Sequence, residues 1–260
     1  MTLPLAGIAG SDLGATGLLI RHMRKPTTLM GGKFRSRHFG TKPFLAEALR
    51  LTGQDGPVAL YVGAASGDDR TFGTALSVIL RAAGARKVLW PKLAKKKREI
   101  TQAREALAET DLVFVGGGDV EAGMDVLRDA DLIDDFHAAA NRGVVFAGMS
   151  AGAIMLGERW IRWPHAGAGD DEAETYECLS IAPCSLDTHG EGDDWQETQS
   201  FAAVRARELG AQACAYGVPS GGALVIGPDG TPQARYVPVP VFVALPNRKG
   251  TIRKTLEAIE

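Results

Sequence analysis

Val144-Val145-Phe146-Ala147 is a short unbroken apolar run that leads directly into Gly148-Met149-Ser150-Ala151-Gly152 and then into Ala153-Ile154-Met155-Leu156. The first four residues predict a buried strand, and the last four predict the start of an apolar helix. The pentapeptide between them has the form G-x-S-x-G. In a strand–turn–helix setting that pattern holds a serine in a strained conformation, with its hydroxyl projecting above a sheet and the glycines relieving clashes on either side. The helix that follows points its free N–H groups at the same place, where they favour developing negative charge. The simpler alternative is a serine that only caps the helix.

The same alternation extends outward in both directions. Apolar runs at Thr28–Met30, Val58–Val62, Lys87–Trp90, Leu112–Val115 and Ala223–Ile226 predict further strands. Segments of helical period lie between them, at Lys42–Leu51, Thr71–Ala83, Lys95–Ala108, Val120–Asp129 and Leu132–Asn141. Strands alternating with helices specify an α/β fold, a mostly parallel sheet flanked by helices on both faces in three layers. Near the C-terminus, Asp229-Gly230 reads as a hairpin turn. The proline-punctuated run Tyr236–Val243 reads as an edge strand, because proline cannot donate to a ladder. No repeat or low-complexity linker divides the 260 residues, which predicts one domain over residues 1–260.

Composition narrows the functional classes. A net charge of −2 gives no electrostatic case for nucleic acid or an anionic membrane as partner. The dense basic run Lys95-Lys96-Lys97-Arg98 reads as a solvated helix face. Three cysteines without CxxC spacing argue against a disulfide framework or a zinc site and suit a reducing compartment. No apolar run is long enough to span a membrane. The basic residues Arg21, Arg24 and Lys25 follow the apolar N-terminal segment instead of preceding it, the wrong order for a signal peptide. A cytoplasmic protein without cofactor or metal is the expectation.

A serine nucleophile needs an oxyanion site and a base. Gly116-Gly117-Gly118-Asp119 follows a strand and precedes a helix, and bare backbone there can donate N–H groups to an oxyanion. Gly118 and Ala151 are the expected donors, with Asp119 beside them at the substrate. The segment is not a nucleotide loop, since neither Gly-Lys-Ser/Thr nor GxGxxG occurs. Among the five histidines, His22, His38 and His137 read as surface or packing residues. His189, in Ser185-Leu186-Asp187-Thr188-His189-Gly190, stands at a strand end suited to reaching Ser150. His165 is a weaker candidate. A metal cluster of His189 with Glu191, Asp193 and Asp194 is possible on paper, but consecutive acids among glycines read as solvated.

Taken in order, these motifs resemble the serine peptidases that include cyanophycinase and dipeptidase E. The resemblance rests on Met30-Gly31-Gly32, Val62-Gly63-Ala64-Ala65-Ser66, Phe114–Asp119, Gly148–Ala153, Asp187-Thr188-His189 and Gly217-Val218-Pro219-Ser220-Gly221-Gly222-Ala223-Leu224. It implies a fold like that of class I glutamine amidotransferases, a small peptide or amide as substrate, and a monomer or homodimer. It also implies a Ser–His–acid triad with Ser150 and His189 in the first two places and the acid in the interval between them. Glu158 sits two turns along the helix, pointing away from the elbow, so Asp170 or Asp171 in the Gly/Ala-rich loop is the expected acid. Relatives that cleave after aspartate carry basic residues just after the histidine. This chain instead has the acidic Gly190-Glu191-Gly192-Asp193-Asp194-Trp195-Gln196-Glu197. Asp193 and Asp194 near the pocket favour a cationic group at about 1 kcal/mol or more per close pair, and Trp195 is either a pocket wall or a core residue. A non-catalytic amidotransferase-like binding domain, or an esterase or transferase using the same elbow, are the competing readings.

Overall fold

The computed structural model describes residues 25–31, 41–95, 97–165, 167–247 and 250–259. His22, His38, Gly32, Lys96 and the N-terminal basic residues Arg21 and Arg24 lie outside them.

In chain order the elements are β1 (Thr27–Met30), α1 (Thr41–Leu51), β2 (Val58–Val62), α2 (Arg70–Ala82), β3 (Lys87–Leu89), α3 (Ile100–Glu109), β4 (Leu112–Val115), α4 (Val120–Asp129), α5 (Ile133–Arg142), β5 (Val145–Met149) and α6 (Ala151–Leu156). Then come β6 (Arg159–Arg162), β7 (Glu174–Glu177), β8 (Leu186–Thr188), α7 (Gln196–Leu209), β9 (Ala213–Val218), β10 (Ala223–Ile226), β11 (Pro232–Arg235), β12 (Val239–Ala244), β13 (Thr251–Leu256) and β14 (Ala258–Ile259). The main sheet has the order β14-β11-β10-β1-β5-β4-β2-β3. Strands β1, β5, β4, β2 and β3 are mutually parallel, and β10 and β11 extend the sheet as an antiparallel hairpin around the Asp229-Gly230 turn.

Alternation along each strand assigns the helices to faces. Leu60, Val62, Val113, Val115 and Phe146 pack with Ala106, Met124, Leu127 and Phe136, which brings α3, α4 and α5 to one face. The intervening residues Ala59, Tyr61, Leu112, Phe114 and Val145 pack with Leu45, Leu49, Leu76 and Leu80 of α1 and α2 on the other. The expected three layers follow directly from this two-residue period.

Three features depart from the sequence expectation. Helix α3 begins at Ile100 and not near Lys95, because the buried carboxylate of Asp68 takes the N–H groups of Leu93 (2.6 Å) and Ala94 (2.7 Å) and holds that segment as a loop. A second, four-stranded sheet, β13-β12-β9-β8, packs against α7 through Phe201, Ala202, Ala215 and Phe242. The proline-rich run supplies β12, which lies inside that sheet between β9 and β13 and is not an edge strand. Pro240 is tolerated there because the ladder with β9 begins one residue later, at Val241. Among the described residues no helix is long and apolar enough to cross a membrane.

Candidate active site

The carboxyl ends of β1, β2, β4 and β5 open on one edge of the main sheet, where ligands gather in open α/β folds. Ser150 leaves β5 there with φ 55° and ψ −127°, a left-handed conformation that costs a non-glycine residue about 1–3 kcal/mol. The turn is held by two elements. Ser150 N–H donates to Met30 O at the end of β1 (3.0 Å), and Ser150 O accepts from Ala153 N–H (2.8 Å). The tightness demands a glycine at 152, since a Cβ there would lie 2.2 Å from Val115 O and 2.6 Å from Gly116 O. Helix α6 has only six residues, so its contribution is the individual N–H of Ala151 more than a long dipole.

The second sheet delivers the histidine. Strands β8 and β9 are parallel, with Thr188 opposite Val218, so His189 and the Pro219–Gly222 turn leave the same end side by side. That turn is stitched to the end of β1, with Gly221 N–H donating to Gly31 O (3.1 Å) and Gly31 N–H to Gly222 O (3.2 Å). The ends of β5, β8 and β9 therefore converge. His189 is itself left-handed at φ 70° and half-buried, with Nε2 3.0 Å from Ser150 Oγ. Its Nδ1 lies 3.4 Å from Ser220 Oγ. Ser220 N–H in turn donates to Glu191 Oε1 in a short hydrogen bond. Burial raises the Glu191 pKa, but bonds from the backbone N–H and hydroxyl of Ser220 and the proximity of His189 outweigh it and hold the carboxyl below its usual range.

Gly118 has φ 147°, and a Cβ there would sit 2.0 Å from Ala65 O. Asp119 N–H donates to that same carbonyl (2.9 Å). Among the described residues neither Gly118 N–H nor Ala151 N–H is taken by a backbone or side-chain acceptor, which leaves both available to an oxyanion.

The other expected site residues are dispersed. Asp170 Oδ2 accepts from Ser200 Oγ on α7 (2.7 Å), and its carbonyl accepts from Arg207 (2.9 Å). Asp171 is exposed in the β6–β7 loop, where His165 Nε2 lies 3.6 Å from Glu172. Asp119 caps α4 by accepting from Ala122 N–H (2.8 Å). Asp193 accepts from Trp195 N–H (3.1 Å), and Asp194 pairs with Arg253 (2.6 Å). Trp195 is 4% exposed and packs in the core under α7, its ring against Gly190 and Gly217, so packing and not a pocket wall is its place. His137 bonds Leu179 O, a packing role. Among the described residues no three His, Cys, Asp or Glu side chains gather as a metal site.

Sequence reasoning weighed Glu191 beside His189 only as a metal ligand and named neither Glu191 nor Ser220 as a group that orients the imidazole. Glu191 is only two residues beyond the histidine, but its approach depends on the 3-10 turn Gly190–Asp193. Ser220 reaches the site only through the β8–β9 register.

Buried Asp187 and half-buried Glu197 carry raised carboxyl pKa values. Burial pushes Asp187 up to about 6, with hydrogen bonds from Thr188 N–H and Thr198 Oγ1 opposing the rise. Burial and then the charge of Asp187 push Glu197 up to about 7. Because its folded pKa is raised from 3.8, ionising Asp187 costs stability that accrues as pH rises from about 4 through about 6. Asp187→Asn removes that cost. Its melting temperature is expected to gain on the wild type between pH 4 and pH 7.5, by the equivalent of about 2–3 kcal/mol at most. A difference independent of pH contradicts this.

No curated protein sequence matches the chain. A solved peptidase from an acI-B1 actinobacterium superposes with a TM-score of 0.61 at 18% identity, covering 92% of this chain and 96% of that one. A Listeria monocytogenes EGD-e structure named for peptidase E superposes at 0.56 with 15% identity, covering 90% and 99%. Both show likeness of fold. The model of peptidase family S51 matches residues 29–231, a span that holds Gly118, Ser150 and His189, and the chain belongs to this family of serine peptidases.

Proposed function

We propose that the protein cleaves the amide bond of a small peptide by attack of Ser150 Oγ. His189 Nε2 takes the hydroxyl proton and returns it to the leaving amine, and the N–H groups of Gly118 and Ala151 receive the oxyanion. The observation that carries the reading is the 3.0 Å separation of His189 Nε2 and Ser150 Oγ at a left-handed strand–helix turn. The free thiols of Cys178, Cys184 and Cys214 suit a reducing compartment, and we assign the activity to the cytoplasm.

For the substrate we propose a peptide carrying a cationic side chain or amino terminus. A cleft of about 640 Å³ is lined by Glu121, Trp160, Arg162, Trp163, Glu174 and Glu197. Glu121 stands in the first turn of α4, just beyond Gly118, and Glu197 precedes the residue that bonds Asp187, so the cleft draws on the elements that carry the site. Arg162 is already paired with Glu121 and Glu174. Among the described residues no lysine or arginine pairs with Glu197, whose carboxyl is bonded by the Trp160 side chain; a cation entering the cleft would draw that raised carboxyl into its ionised form and lie against the two indole faces. Of the acidic run 190–197, Glu191 and Asp194 are turned to protein partners, and Glu197 is the specificity residue. The test is a dipeptide panel. Lys-Ala and Arg-Ala are expected to exceed Asp-Ala by about tenfold or more in kcat/KM, the equivalent of one close charge pair, and Glu197→Gln is expected to narrow the gap. Preference for Asp-Ala contradicts the assignment.

A further inference from the structure

We propose that Glu191 acts on His189 through the hydroxyl of Ser220, so that the site is a four-membered chain, Ser150–His189–Ser220–Glu191, in which a serine stands between the imidazole and its acid. This inference rests on the reading of Ser150 and His189 as nucleophile and base.

Hydrogen-bond polarity fixes the direction of the chain. For His189 to accept the Ser150 proton at Nε2, the neutral imidazole must carry its proton on Nδ1. Nδ1–H then donates to Ser220 Oγ at 3.4 Å, a long contact of the kind that tightens when the imidazolium forms. With one lone pair of Ser220 Oγ so engaged, its own hydrogen is free for an acceptor. Glu191 is that acceptor: its carboxylate already takes Ser220 N–H and is also bonded by the Ser220 side chain. Glu191 lies below its usual carboxyl range, so it is an anion at neutral pH. The backbone bond does a second job, since it fixes the Pro219–Gly222 turn and with it the height of Ser220 above β1.

The proton balance is simple. When Ser150 Oγ bonds to the substrate carbon, its proton passes to Nε2 and the carbonyl becomes the oxyanion. The imidazolium retains Nδ1–H, Ser220 retains its hydroxyl proton, and Glu191 remains ionised throughout. The carboxylate contributes charge and orientation and accepts no proton. Asp187, Asp193 and Asp194 are other carboxylates near this loop, and Asp194 pairs with Arg253. Asp187 is turned into the core towards Thr198, and Asp193 towards Trp195 N–H, so neither substitutes for Glu191 at Nδ1. Asp170, turned to Ser200, is engaged elsewhere.

Ser220 and Glu191 are thus positioning residues, and their removal should cost far less than the roughly 10⁴-fold seen where an acid bonds the histidine directly. The test uses the second-order rate of inactivation by a fluorophosphonate, measured against pH on the whole protein. Glu191→Gln keeps an oxygen acceptor for Ser220 N–H and removes only the charge. It is expected to slow inactivation by about tenfold and to move the acid limb of the pH profile downward, because an imidazolium without its anion loses its proton more easily. Ser220→Ala is expected to do the same, and the double variant no more than either single, as members of one chain do. Adding Ser220→Asp to Glu191→Gln places a carboxylate beside Nδ1 and is expected to restore the acid limb. Wild-type rates and profile in either single variant, a rate loss without a shifted limb, or fully additive losses each overturn the chain. If the wild type is not labelled at Ser150 at all, the underlying nucleophile reading fails instead, and the two failures are distinguishable.

Discussion

Ser150→Ala is expected to lower peptide hydrolysis by about 10⁴–10⁶-fold with KM little changed. The hydroxyl is the only atom removed, and its single described partner is His189 Nε2. The turn itself is held by backbone bonds from Ser150 N–H to Met30 O and from Ala153 N–H to Ser150 O, and alanine keeps both. Alanine also inherits the same left-handed φ, so the melting temperature should move by a few degrees at most. His189→Ala should cost a similar factor, and the double variant little more than either, because a nucleophile and its base act as a unit. Activity within tenfold of the wild type in a folded Ser150→Ala protein would remove Ser150 from the mechanism.

Gly152→Ala is expected to have the largest effect on stability, at least about 3 kcal/mol in urea denaturation. The added Cβ meets two backbone carbonyls, Val115 O at 2.2 Å and Gly116 O at 2.6 Å. Val115 ends β4 and Gly116 directly follows it, and β4 is clamped between β2 and β5. A flexible side chain could rotate away, but a central strand cannot. Relief requires α6 to lift, which would displace Ser150 from His189 and lose activity together with stability. A loss below about 1 kcal/mol would show that the elbow is looser than these distances imply.

The main sheet is legible because its central strands are continuous apolar runs buried on both faces. Val58–Val62, Leu112–Val115 and Ala223–Ile226 have the predicted bounds, and Val120–Asp129 does too because Asp119 caps it. The second sheet is less visible. Strand β8 has three residues, β9 contains Gly217, and β12 carries Pro240. Each becomes a strand only through partners distant in sequence. Helix α7 escaped notice because its buried face is built largely of alanine and shorter side chains around Phe201, with charged residues interspersed. The same contrast runs through the site. Ser150 announces itself through the glycines a tight turn requires, and His189 through its place after an apolar segment. The surroundings of the imidazole are set by the parallel register of β8 with β9 and by a 3-10 turn, neither of which leaves a local pattern. An acid sought in the interval between serine and histidine therefore led to Asp170 or Asp171, of which the first faces Ser200 and the second is exposed, while the carboxylate that takes Ser220 N–H is Glu191.

The central claim is that His189 activates Ser150 as a nucleophile. The direct measurement is intact-mass and peptide mapping of the wild type after treatment with a fluorophosphonate, beside folded Ser150→Ala and His189→Ala proteins. One adduct per chain, on the peptide that contains Ser150, absent from Ser150→Ala and formed at least about a hundredfold more slowly in His189→Ala, is the predicted result. No adduct on the folded wild type, an adduct on another residue, or undiminished labelling in His189→Ala would contradict it.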